Sequence, residues 1–223
     1  TLPSTALQQS DLQFDSPYSN YSLSFDGAGD YIDCTDNDMF SFGNGTTDSP
    51  FSVSFWTKLN SVTGTQPFLS KDTTSPNREW AISIFPDSSN GVRIFLKDQG
   101  GNNQQSIDSS TALTTGVWYH ITTTYDGRGG SNAADGLSIY INGSLDTPTN
   151  IAKATYTAMS NTTAPVYIGK YYTHEINGKI DETSIFNYEL TSSQVLEIYN
   201  NGRPKDLDNF SGTAPISWWR LGE

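Results

Sequence analysis

Gly116-Val-Trp-Tyr-His-Ile-Thr-Thr-Thr-Tyr-Asp126, then a loop from Gly127 to Gly136, then Leu137-Ser-Ile-Tyr-Ile-Asn-Gly-Ser-Leu145: this stretch decides how the chain is read. The run Val117 to Tyr125 is rich in aromatic and β-branched residues, which suit a pleated, half-buried surface, and it reads as a strand. In Leu137 to Ile141, Leu, Ile and Ile alternate with Ser138 and Tyr140, so the second run is also a strand. Asn142-Gly143 supplies the positive φ angles of a tight turn. The expectation is two long strands joined by an acidic, glycine-rich loop.

The same signals recur along the chain. Tyr21, Leu23 and Phe25 alternate with Ser22 and Ser24, and Asp26-Gly-Ala-Gly-Asp30 follows as a turn. Phe51, Val53 and Phe55 oppose Ser52, Ser54, Trp56 and Lys58. Trp80, Ile82 and Ile84, then Val92, Ile94 and Leu96, alternate across Pro86–Gly91 and predict a hairpin. Pro67–Ser70, Val166–Ile168 and Lys179–Phe186 read as further strands, and residues 98–112 and 146–164 as loops. Thr191–Asn200 has helical spacing in Val195, Leu196 and Tyr199. Thr191 with Gln194 suits a capping box, and Gly202 before Pro204 suits a stop. Residues 1–20 are expected to be an arm or linker outside the main sheets, 21–203 the domain, and 204–223 an extension with one more strand. Short strands spaced by turns indicate an all-β, two-sheet antiparallel sandwich with one short C-terminal helix.

Five segments in order carry a resemblance. Leu23–Ile32, Phe51–Lys58, the Trp118-x-His120 run through Gly143, Gly178–Asn187 and Leu190–Gly202 resemble the laminin-G-like, concanavalin A-like lectin/glucanase family over roughly residues 21–203. The resemblance implies a jelly roll. The family is functionally broad, so function has to come from the site. The extension, with Asp206-Leu207 and Ile216-Ser-Trp-Trp-Arg-Leu-Gly-Glu223, resembles repeat junctions in structural proteins of marine bacteriophages. Two adjacent tryptophans on opposite faces are costly to leave exposed, and an edge strand closing the domain's own sheet is the alternative reading.

Composition excludes several function classes. The chain of 223 residues carries 12 Lys and Arg against 24 Asp and Glu, a net charge of −12. Nucleic acid and anionic membranes need basic patches, and no run approaches the roughly 20 apolar residues of a membrane span. The single cysteine, Cys34, rules out an internal disulfide. The opening residue is Thr1 rather than Met, which suggests a processed product or a piece of something longer.

Glycosidases of this fold class need two carboxylates on one strand face, about 5 Å apart. The six glutamates, at 79, 175, 182, 189, 197 and 223, include no such pair. Asp181 and Glu182 are adjacent and would point to opposite faces of a strand. A non-catalytic module is therefore expected. His120 reads as a packed structural histidine, because a catalytic base needs a nucleophile partner.

Calcium is the one metal to consider, since it takes oxygens from carboxylates and carbonyls. The resemblance implies that the first and last strands are neighbours, which would bring Asp26 and Asp30 to Asp181. The alternative is that Asp26 and Asp30 cap a turn. A weaker second candidate is the loop with Asp126, Asn132 and Asp135. If the apolar alternates point between the sheets, Trp56, Phe85, Arg93, Phe95, Lys97 and Tyr140 point outward and offer a binding face; a covering segment or subunit is the competing reading. The expected setting is a virion or extracellular surface. The expected partners are other surface proteins, copies of the chain, or a glycan, with a secreted bacterial carbohydrate-binding module as the alternative.

Overall fold

The computed structural model describes residues 12–13, 21–98 and 103–221. In chain order its strands are β1 (Leu12–Gln13), β2 (Ser22–Asp26), β3 (Ile32–Asp33), β4 (Phe51–Leu59), β5 (Gln66–Asp72), β6 (Arg78–Ile84), β7 (Gly91–Lys97) and β8 (Gln104–Ala112). They continue as β9 (Trp118–Tyr125), β10 (Leu137–Ile141), β11 (Ser144–Leu145), β12 (Asn150–Lys153), β13 (Tyr167–Ile168), β14 (Lys170–Tyr171), β15 (His174–Glu175) and β16 (Asn177–Phe186). Helix α1 (Ser192–Tyr199) and strand β17 (Ser217–Trp219) close the chain.

Two antiparallel sheets form the sandwich. The first runs β1-β2-β16-β4-β9-β10-β11, with β17 also on β16; the second runs β12-β8-β7-β6-β5-β13-β3. β9 and β10 pair as the sequence indicates, Tyr125 opposite Leu137 through Ile121 opposite Ile141. The turn after β10 has φ 51° at Asn142 and 77° at Gly143. Glycine is also required sterically at 143, because a Cβ there would lie 2.8 Å from the Tyr199 ring of α1. One residue thus sets both the turn and the seat of the helix.

Between the sheets lies an apolar core built from alternate residues of both inner faces, among them Phe51, Val53, Phe55, Ile121 and Ile139 against Trp80, Ile82, Ile94 and Leu96. Each such side chain contributes about 1.5–3 kcal/mol when fully buried. The outer face of the first sheet is covered too. Tyr140 and Phe186 pack with Leu190, Val195, Ile198 and Leu207, so α1 and the chain after it form a third layer. The predicted capping box is present, with the Thr191 side chain accepting from Gln194 N and the Gln194 side chain accepting from Thr191 N. The helix buries Val195 and Ile198, while Leu196 is exposed.

The tail strand pairs Thr183 with Trp219 and Ser184 with Trp218. Its two indoles separate as alternation requires: Trp219 packs on the inter-sheet core and Trp218 on the outer cluster. β2 and β17 lie along β16 one after the other, at Asn177–Ile180 and Thr183–Ile185.

Three readings need correction. Residues 98–112 were expected to be a loop, yet Gln104–Ala112 forms β8, a nine-residue strand. Ile107 is the one large apolar residue before Ala112, and the strand is buried through satisfied polar groups: Gln105 donates to Ala154 O and accepts from Ala134 N, and Asp108 pairs with Arg93. The expected loop 146–164 contains β12, paired with β8. The arm 1–20 contributes β1 to the first sheet, opposite Ser22 and Leu23; the remainder of the arm lies outside the described residues.

Candidate functional site

The residues expected to form an outward binding face do not come together. Trp56 and Tyr140 belong to the first sheet, and Phe85, Arg93, Phe95 and Lys97 to the second or its edge. Tyr140, Phe85 and Phe95 pack in clusters outside the inter-sheet core, and alternation does not say what covers them. Trp56 is buried between the His120 ring, 5.0 Å away between centroids, and Tyr199 of α1, stacked at 5.9 Å. The Tyr140 hydroxyl meets Ser192 Oγ at 3.1 Å. On the second sheet, Phe95 is fully buried against Ala81 and Tyr171. Arg93 holds Asp108 through Nη2 at 2.7 Å and lies over the Phe85 ring at 5.2 Å. Lys97 lies 3.4 Å from Asp72 and donates to the Tyr171 hydroxyl.

The proposed calcium ligands separate as well. Asp26 sits opposite Asn177, whereas Asp181 sits opposite Trp56 four residues along β16, roughly 13 Å further on. Asp26 accepts from Ala28 N and Asp30 accepts from Asp26 N, which is the turn-capping role. In the second acidic loop, Asp126 pairs with Arg128 and Asp135 with Lys153. Among the described residues no group of three or more His, Cys, Asp or Glu side chains converges.

His120 is a buried structural residue. Its Nε2 shares a 2.8 Å hydrogen bond with Ser54 Oγ, which in turn accepts from Thr122 Oγ1. Burial alone pushes its pKa down to about 3, so the ring is neutral. Its side chain lies under the third layer, against Tyr199.

What the fold does build lies at the other edge of the second sheet, where β13 pairs with β5 and β3 and the β14–β15 hairpin folds over β5. A recess of about 220 Å³ is lined by Thr73, Thr74, Tyr167, Lys170, Tyr172 and Thr173. Tyr31 meets Tyr167 edge-on at 5.5 Å, and the Lys170 ammonium lies 3.6 Å above the Tyr31 ring. Glu175 pairs with Lys170 at 3.6 Å. Tyr172 occupies the left-handed region at φ 55°, and the Arg78 guanidinium lies 5.0 Å over its ring. Behind it, Asp72 is fully buried beside Lys97 and Arg78. Burial outweighs these cations and raises the Asp72 pKa to about 6; it also lowers that of Lys97. Aromatic faces, three threonine hydroxyls and a held cation on a shallow wall suit a ligand with alternating apolar faces and hydroxyls. Sequence reading missed these residues because they come from three distant segments. The run Lys170-Tyr-Tyr-Thr-His174 was the available signal.

The sandwich, its helix and its edge geometry define the class. The profile of the concanavalin A-like lectin/glucanases superfamily, laminin-G type, matches residues 26–196, and the chain belongs to that family. No curated protein matches it in sequence. Among solved structures it is similar to the binding domain of botulinum neurotoxin serotype G, with TM-score 0.58 and 20% identity over 85% of this chain and 44% of that one. It is also similar to the binding domain of botulinum neurotoxin DC, solved in complex with SialylT, at TM-score 0.58 and 21% identity over 85% of this chain and 44% of that one. A third is domain 4 of a GH43 extracellular arabinanase from Geobacillus stearothermophilus, solved with arabinotriose, at TM-score 0.56 and 20% identity over 84% of this chain and 81% of that one. The chain spans less than half the length of the neurotoxin domains. These likenesses establish the fold.

Proposed function

We propose that the chain is a non-catalytic binding module that takes a glycan in the Tyr167–Tyr172 recess. The observation that carries this reading is the recess itself: tyrosine rings, threonine hydroxyls and Lys170 share one accessible wall. Aromatic rings stack on the apolar faces of sugars while hydroxyls and an ammonium exchange hydrogen bonds with the rim. Its volume of about 220 Å³ suits one or two sugar rings rather than an enclosed ligand. Sugar ligands in structures of the same fold, arabinotriose among them, support the reading by analogy. Two of the glutamates serve structure: Glu182 accepts from Trp218 Nε1 and Glu197 accepts from Ser211 N.

The setting we propose is a surface. The tail's resemblance to phage structural proteins favours a virion protein that decorates or attaches, with other virion proteins or further copies as neighbours. A secreted bacterial carbohydrate-binding or adhesion module is the alternative. Mass spectrometry of purified particles separates the two: the virion reading expects the chain in the particle, and a chain found only in culture medium supports the alternative. The glycan reading is tested by binding of wild type and Tyr172→Ala to a broad glycan panel. Specific binding lost in the variant is expected; equal binding by both would move the site elsewhere.

A further inference from the structure

Where β5 ends and β6 begins, an amine and a carboxyl group are buried side by side, with a second carboxyl group reaching the amine from the surface. Lys71 is completely buried, and its Nζ lies 2.8 Å from Asp36 Oδ1 and 3.2 Å from Glu79 Oε1. It also donates to Ala164 O at 2.6 Å and Thr162 O at 3.4 Å. Glu79 is completely buried as well. It sits at a register shift in the β5–β6 ladder, between Lys71 opposite Trp80 and Asp72 opposite Arg78, so its side chain turns toward Lys71. Its Oε1 accepts from Thr162 N, Thr162 Oγ1 and Ser41 Oγ, while Oε2 is buried with no hydrogen-bonding partner. Asp36 lies in the loop after β3, with its side chain one-third exposed.

A nucleophile, an electrophile and a proton carrier in fixed contact are what amide formation needs. We propose that Lys71 and Asp36 join through a side-chain amide bond, with Glu79 as the proton carrier. Nζ first passes one proton to Glu79 and becomes a neutral amine. Glu79 relays that proton to the Asp36 carboxylate, and the neutral amine attacks Cγ of Asp36. The C–N bond forms, the C–OH bond breaks, and the hydroxyl leaves with the second amine proton as water. The third amine hydrogen stays on the amide, and Glu79 ends as the carboxylate it began as. No oxidant, reductant or co-reactant enters. Burial pushes the Glu79 pKa up, which suits it to take the proton from the amine and pass it on. The exposed side of Asp36 gives the released water a way out. The bond would tie the loop after β3 to the inner strand β5, a brace suited to a module held on a surface under load.

The test is the intact mass of the purified full chain under denaturing conditions. The expected mass is that of the sequence less one water, with a peptide map that joins the fragment holding Asp36 to the fragment holding Lys71. Lys71→Arg and Glu79→Gln chains are expected at their full sequence masses. A wild-type mass equal to that of the sequence, unchanged after prolonged incubation, overturns the proposal. So does a lost water that leaves residues 36 and 71 in separate peptides. The wild-type measurement decides the matter even if the variants fail to fold.

Discussion

Protonating His120 should loosen the third layer, and the size of the effect follows from its surroundings. The ring is 1% exposed, bonded at Nε2 to Ser54 and packed at a tilt against Trp56 and Tyr199. Its pKa falls from 6.5 to about 3 on folding. The folded value is depressed, so between these limits the unfolded chain binds the extra proton and stability drops as pH falls below 6.5. The slope is about 1.4 kcal/mol per pH unit, hence about 3 kcal/mol between pH 6.5 and 4.5. Asp72 acts in the opposite sense. Its pKa is raised to about 6 from 3.8, so in that window the folded chain holds the extra proton and Asp72 favours folding as pH falls. The two slopes offset each other from pH 6 down to about pH 4 in wild type. The informative quantity is therefore the difference between wild type and His120→Gln, measured by urea unfolding from pH 8 to 4.5. Wild type should lose about 3 kcal/mol relative to the variant across that range. Parallel pH profiles, or an NMR titration placing the His120 ring near 6.5, would refute the reasoning.

Other outcomes follow from the same contacts. Asp72→Asn should stabilise the chain at pH 8, by up to about 3 kcal/mol, and the gain should vanish as pH falls through 6 toward 4; thermal melts at both ends of the range check it. Gly143→Ala should cost about 2 kcal/mol in urea unfolding, since the new Cβ meets the Tyr199 ring at 2.8 Å at a position with φ 77°. Trp219→Ala should cost about 2–3 kcal/mol by opening the core beside Phe40, 5.9 Å away; less than 1 kcal/mol would show that the tail strand is not part of the sandwich. Chelation should leave Tm unmoved, because Asp26 and Asp30 cap their own turn away from Asp181; a rise in Tm with calcium would contradict that assignment.

The strands that alternate apolar and polar residues were legible in sequence. β4, β6, β7 and β10 follow period two, β9 is dense in aromatic and β-branched residues, and Asn142-Gly143 announces its turn. β8 was not, because a strand can be buried through Gln105, Ser106 and Asp108 as long as each finds a partner, and partners from residues 93, 134 and 154 leave no local trace. The binding face shows the same limit. Alternation assigns Trp56 and Tyr140 to an outer surface, but that α1 returns to cover them is a matter of tertiary packing. The recess joins residues near 31, 73 and 170, and only the folded sheet edge makes them neighbours.

Binding of the purified chain to a broad glycan panel, beside Tyr167→Ala and Tyr172→Ala chains that melt like wild type, tests the central claim most directly. The account predicts specific binding by wild type that both variants lose. A blank panel from well-folded wild type, or binding that survives both substitutions, would contradict it.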